Sequence, residues 1–172
     1  MSKTPPDELH SKQEILEVIY RRARAADRRD IELARSCYHP DATEDHEGFQ
    51  GSAEEFLRQS QISDSSAVKV MYHFVGNVLI ELRDDVALVE SYVTVQAVVE
   101  LTETRDVSIA ARYLDRFTWR DGRWAIQHRQ LVFETSRVEP AAPRYWDVMG
   151  IDVETLPFGT DGPDDPLYTL LS

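Results

Sequence analysis

Four long β-forming segments, at roughly 68–82, 86–101, 107–119 and 123–135, constrain this chain more than anything else in it. They are rich in Val, Ile, Tyr, Phe and Trp and are separated only by "RDD", "TETRD" and "RDG". Connections this short join antiparallel neighbours, because a parallel pair needs a crossover of about a dozen residues or more. An antiparallel meander is therefore expected over the middle of the chain. The N-terminal part reads differently. In "SKQEILEVIYRRARAADRRD", Ile15, Leu16, Val18, Ile19, Ala23 and Ala26 form a helical stripe, which predicts a first helix ending near Asp27. "DIELARSCY" predicts a second, capped by Asp30 and stopping before His39-Pro40. "DATEDHEGFQG" reads as an extended piece and a turn, and Ser52 with Glu55 three residues on makes a capping box that opens a third helix. Helices first and strands afterwards indicate an α+β fold, with the helices packed on one side of a curved sheet.

At 172 residues one domain is expected, with a polar leader over 1–9, a body over 10–136 and an irregular, proline-containing tail over 137–172. Tyr145, Trp146, Phe158 and Tyr168 in that tail imply that it packs on the body or at an oligomer interface. The 19 Lys and Arg against 31 Asp and Glu leave a net charge of -12, which disfavours nucleic acid and anionic membranes as partners. No apolar run approaches the ~20 residues that span a bilayer, and the start lacks the apolar core of a signal peptide, so a cytoplasmic protein is expected. The single cysteine, Cys37, has no partner for an internal disulfide and reads as a buried thiol.

Among the strands, "MYHFVGNVLIEL" places Tyr72, Phe74, Gly76, Val78, Ile80 and Leu82 on one face and Met71, His73, Val75, Asn77, Leu79 and Glu81 on the other. A histidine on the second face stands out. So do Asp27 at the end of the first helix and Arg129 inside "AIQHRQLVF". Each alone has a bland reading: a solvated helix-end carboxylate, a satisfied half-buried histidine, a surface arginine. His39 and His128 lack a partner at ligand spacing, His46 reads as a loop residue, and no HxH, HExxH or cysteine pair marks a metal site. No glycine-rich phosphate loop follows a strand, so no cofactor is expected.

"IYRRARAADRRDIELARSCYHPDAT", "YHFVGNVLIEL", "ARYLDRFTWRDGRW" and "AIQHRQLVFE" together resemble the SnoaL-like branch of the nuclear transport factor 2-like superfamily, over residues 10–136. The resemblance implies a cone-shaped, strongly curved antiparallel or mixed sheet wrapped around the N-terminal helices. It is most specific for cofactor-free lyases of the scytalone dehydratase, hexachlorocyclohexane dehydrochlorinase and bile acid dehydratase types, which pair an aspartate at the end of the first helix with a histidine on the first long strand. By that resemblance Asp27 and His73 form the dyad and Arg129 completes the site, while Arg22 stands where the dehydrochlorinase carries lysine. A planar guanidinium is not equivalent to an ammonium, although the positive charge is kept. Tyr20, Tyr92 and Tyr113 are candidates for substrate contact, as Asp115 is for the lining, with the direction of the strand residues left open by alternation alone.

These residues lead to a lyase on a hydrophobic, aromatic or polycyclic small molecule. His73 takes a proton, Asp27 orients it and the arginines stabilise developing negative charge. Isomerase and cyclase chemistry use similar pockets. A non-catalytic ligand-binding module, or the small structural subunit of a ring-hydroxylating dioxygenase, is the alternative from another class. A broad apolar outer face on the sheet would require a homodimer or homotrimer.

Overall fold

Residues 5–62, 67–161 and 165–171 are described by the structure, a computed structural model. In chain order they form α1 (Glu8–Asp27), α2 (Ile31–Ser36), β1 (Tyr38–His46), β2 (Phe49–Ser52), α3 (Ala53–Ile62), β3 (Val68–Arg83), β4 (Val86–Glu100), β5 (Thr104–Arg120), β6 (Arg123–Pro140), α4 (Tyr145–Met149) and α5 (Pro166–Leu171). The strands make one open sheet in the order β2-β1-β6-β5-β4-β3, in which β1 runs parallel to β6 and every other pair is antiparallel. The expected meander is β3 to β6. The fold is the α+β cone-like arrangement, with α1 laid across β3 and reaching β6.

Helix α1 starts where Asp7 accepts hydrogen bonds from the amides of Leu9 and His10, satisfying donors that have no partner inside the helix. Its buried stripe is Ser11, Ile15, Val18, Ile19, Arg22 and Ala25. Ala23 and Ala26, assigned to the stripe from spacing, are only partly buried, and the inward position on that turn belongs to Arg22. Ile15, Ile19, Ala87, Phe117 and Ile126 close the core between α1 and the sheet. Asp30 caps α2 as expected, and Ser52 accepts the amide hydrogen of Glu55 at the start of α3. Among the described residues no helix is long and apolar enough to cross a membrane.

Strand β3 departs from simple alternation. Val75 pairs with Val93 and Val78 with Ser91, so Gly76 and Asn77 together oppose Tyr92 alone. This is a β-bulge, and it switches the inward set from Met71, His73 and Val75 to Val78, Ile80 and Leu82. The single continuous apolar face expected from the sequence is thus split. Its first half, Tyr72 and Phe74, points outward and is 52% and 68% exposed. Two further bulges, at Gln127 and Glu134 of β6, bend the sheet in its middle. The final strand also runs longer than expected, to Pro140, and the tail beyond it contains α4 and α5. That tail folds back to the α1–α2 junction, where Asp165 is buried against Arg28 and Tyr168 donates to Asp30.

Candidate active site

Strand β3 is an edge of the sheet, so the peptide groups on its free side have no neighbouring strand. The end of α1 supplies what the edge lacks. Asp27 accepts the His73 backbone N–H at 3.0 and 3.1 Å through its two oxygens, and Arg29 donates to the Val68 carbonyl at 2.7 Å. The same carboxylate lies 2.6 Å from His73 Nδ1. An ionised carboxylate only accepts, so Nδ1 carries the hydrogen and Nε2 is left with a lone pair. Nε2 has no hydrogen-bond partner among the described residues. The side chains are 11% and 14% exposed, sheltered but reachable. The aspartate therefore fixes both the position of the strand and the tautomer of the ring. A lone pair held in this way can accept a proton.

In-register neighbours across a sheet share a face, which places the inward residues beyond His73. His73 pairs with Val95, and Val75 and Val95 pack on the buried set Val93, Ala111 and Tyr113, with Leu131 alongside. This apolar floor leads to a second, polar end. Arg129 donates through Nε and Nη2 to the two oxygens of Asp115, each at 2.7 Å, and its guanidinium lies 4.1 Å from the centre of the Tyr113 ring. Both ions are buried. Burial alone would lower the pKa of Arg129, but the charge and hydrogen bonds of Asp115 hold it well above its ordinary value. Arg129 is therefore an arginine already neutralised by a partner, not the free cation that the sequence implied.

Arg22 is held by a neutral group instead of a carboxylate. Its Nε donates at 2.9 Å to the Tyr38 hydroxyl, which donates at 2.9 Å to Glu44 Oε2. His46 Nδ1 stands 3.0 Å from the other oxygen, Glu44 Oε1. Burial pushes the Tyr38 hydroxyl up, which keeps it protonated and donating. Burial would also raise Glu44, yet the hydrogen bond from His46 and the charges of Arg129 and Arg22 hold it below its ordinary value. Glu44 is in register with Arg129 and Arg129 with Asp115, so this lattice forms one row across β1, β6 and β5.

The structure thus brings Asp27 and His73 together, and places Arg22, Arg129 and Tyr113 around the buried lattice further along the same face. It leaves two proposed substrate contacts elsewhere. Tyr20 is half-exposed on α1, one position off the buried stripe. Tyr92 faces outward, because the inward residues of β4 are its neighbours Ser91 and Val93; Arg112 lies over its ring and is itself paired with Glu90 and Glu134. His46, read from the sequence as a loop residue, is instead the last residue of β1, stacked at 4.7 Å on Phe56 and 6.3 Å from Tyr113. The signal was the alternation of Ala42, Glu44 and His46, which puts a carboxylate and a histidine on the inward face of one strand.

Comparison with known proteins places this geometry in a family. Residues 7–130 match the model of the SnoaL-like domain. Among solved structures, the hexachlorocyclohexane dehydrochlorinase LinA-type3 from Novosphingobium barchaimii LL02 superposes with a TM-score of 0.72 at 19% identity, covering 80% of this chain and 98% of that one. A scytalone-dehydratase-like protein from Novosphingobium aromaticivorans gives 0.68 at 16% identity over 78% and 91% of the two chains. Rv3472 from Mycobacterium tuberculosis, a protein of unknown function, gives 0.64 at 21% over 74% of each. No functionally curated protein matches the chain. Identities this low carry the fold alone, whereas the family model covers most of the chain: it belongs to the SnoaL-like domain family.

Proposed function

We propose that the protein is a cofactor-independent lyase that eliminates a small fragment from a hydrophobic, ring-containing molecule, with His73 as the base and Asp27 as its orienter. The observation that carries this reading is the 2.6 Å contact between Asp27 and His73 Nδ1, which leaves Nε2 as an acceptor beside an apolar floor. A base presented to an apolar floor removes a proton from carbon or from a hydroxyl, and Asp27 stabilises the imidazolium that results. Arg129 contributes positive potential through its closed pair with Asp115, and Arg22 through a guanidinium held by Tyr38. The family and its dehydrochlorinase and dehydratase-like fold neighbours are consistent with such chemistry. A free, buried Cys37 suits the reducing cytoplasm.

The outward face of the sheet supports a homodimer or homotrimer: Tyr72, Phe74, Leu79 and Tyr92 are all exposed on it. Sedimentation of the wild type and of Phe74→Glu tests this, with a shift toward monomer expected for the variant. The function is tested by incubating the purified protein, after chelation and dialysis, with hydroxylated and halogenated ring compounds and following the loss of water or acid by mass spectrometry. Turnover by the wild type and none by His73→Ala is expected. Full turnover by His73→Ala would remove the assignment.

A further inference from the structure

Asp27 holds a backbone N–H and a ring nitrogen of His73 at the same time, which demands an exact placement of the end of α1. Within the helix only backbone bonds secure that end, Arg28 N to Arg24 O at 3.0 Å and Asp30 N to Ala25 O at 2.9 Å. The turn that follows puts Arg29 in the left-handed region at φ 50°, where a residue other than glycine is disfavoured. We propose that the C-terminal segment is a strap that secures this turn, with Asp165 as its anchor and as a positioning residue for Asp27. The effect on catalysis rests on the lyase reading above; the placement of Asp27 does not.

Three consecutive residues after Asp27 are tied to the segment. Arg28 Nε stands 3.2 Å from Asp165 Oδ2, Arg29 Nη1 stands 3.0 Å from Asp161 Oδ2, and the Tyr168 hydroxyl donates to Asp30 Oδ2 at 3.3 Å. One turn back, the Arg24 guanidinium lies 5.5 Å from the centre of the Tyr168 ring. Burial ranks these contacts. The Arg29 and Asp161 side chains are 35% and 51% exposed, so water screens that pair, whereas the Asp165 side chain is 6% exposed. Asp165 also accepts the amide hydrogens of Thr160 at 3.1 Å and Leu167 at 3.0 Å, which folds the segment around its carboxylate. Gly159 completes the seat, because a methyl group there would lie 3.3 Å from Arg28 Nη2, closer than an ordinary contact.

The strap reaches the other half of the dyad through Arg29. Its Nη2 donates to the Val68 carbonyl at 2.7 Å while Nη1 faces Asp161, so one guanidinium joins the tail to the strand that carries His73. Asp27 bonds the same strand edge further along. Loosening the turn draws the helix end away from β3, and the His73 N–H, which faces no neighbouring strand, then loses its acceptor. Charge fits the docking, since Arg24, Arg28 and Arg29 cluster at the helix end and the segment brings Asp161 and Asp165 to them. All of the anchoring tail residues lie beyond residues 7–130, the span of the SnoaL-like domain, so the site is supported from outside that domain.

The test is amide hydrogen exchange at His73, because Asp27 bonds that N–H and its exchange reports the placement of Asp27 without any substrate. Asp165→Ala should speed exchange of the His73 amide by about 10-fold or more and that of Phe117, in the central strand β5, by less than about threefold. Arg28→Gln breaks the same ion pair without emptying a buried position and should act in the same direction; it decides alone if Asp165→Ala does not fold. Leu57→Ala, a truncation in the core on α3, controls for a general loss of stability and should leave the His73 amide within about threefold of wild type. A His73 amide unchanged by the strap variants, or changed as much by Leu57→Ala, would overturn the proposal. On a substrate that the wild type turns over, Asp165→Ala should lower kcat by about 10-fold and leave KM within about twofold. A change in KM alone would overturn the positioning role. If the wild type turns over no ring compound, the lyase reading fails, and the exchange result still decides the strap.

Discussion

The two ends of the concave face are built from the same chemical parts and behave as opposites. At the α1 end, one carboxylate holds a histidine and a strand edge, and the ring keeps an unused nitrogen. At the far end, Arg129 and Asp115 close on each other and a chain of hydrogen bonds links Arg22, Tyr38, Glu44 and His46. A saturated lattice resists displacement, since each member would leave a buried partner unpaired. An unsaturated pair is free to bond to something else. The difference separates the proposed reactive group from its surroundings better than the identity of the residues does: a histidine and a carboxylate occur at both ends, and only their partners distinguish frame from tool.

Exchanging the tool should therefore leave the frame standing. On an identified substrate, Asp27→Asn and His73→Ala should each lower kcat by ~10²- to 10⁴-fold, the usual range for a general base. Thermal unfolding should show far smaller changes, although Asp27→Asn also weakens the hold on the β3 edge. A variant that unfolds as readily as it loses activity would show that this end too is mainly structural.

The opposite exchange should have the opposite balance. Asp115→Ala leaves the Arg129 guanidinium buried without its carboxylate, and breaking such a pair costs about 3–5 kcal/mol. Denaturant unfolding is expected to report that loss directly. Replacing both residues by apolar ones of similar volume should recover much of it, because the pair's own desolvation is then removed as well. A double variant no more stable than Asp115→Ala would argue that Arg129 does more than close the lattice.

Glu44 gives a milder contrast that depends on pH. Its carboxyl is held below its ordinary value in the folded protein, so the stability it contributes is complete above the ordinary carboxylate range and is lost as pH falls through the lowered folded value. Wild type and Glu44→Gln should accordingly differ most near neutrality and converge in acid. Glutamine keeps an acceptor for Tyr38 but loses the charge that Arg22 and Arg129 feel. Chemical denaturation at several pH values measures the gap, and a gap that widened in acid would mean the group is not held ionised.

These contrasts were unevenly legible in the sequence. The four long segments and their short connections announced the meander, because apolar alternation and turn chemistry are local properties. Asp27 and His73 were legible through their resemblance to a family. The partners of Arg129 and Arg22 were not, since they depend on register: Arg129 meets Asp115 only because β5 and β6 pair at that offset, and Glu44 only because β1 lies parallel to β6 there. His46 was missed because a four-residue strand returns just after it, turning what reads as a loop into a β-hairpin end. Tyr92 was misplaced because alternation gives two faces without saying which is inside.

The smallest effect concerns the bulge that separates the two halves of β3. Its one visible sign is Gly76 within an otherwise β-forming run, a common mark of a bulge or of close backbone approach. A methyl group added at Gly76 would meet nothing nearer than the Tyr92 carbonyl oxygen at 3.9 Å, an ordinary contact, and the backbone there is not left-handed. The glycine is thus not what makes the bulge. It follows from the two inward sets, His73 with Val75 and Val78 with Ile80, which lie an odd number of residues apart and share a face only if one residue is extra. Gly76→Ala should therefore change stability by less than about 1 kcal/mol, with any gain coming from a less flexible unfolded chain, and should leave activity intact. Deleting Asn77 is the sharper counterpart, since it removes the extra residue and forces either His73 or Ile80 to face water. If Gly76→Ala proved as damaging as that deletion, the glycine itself would be setting the direction of His73.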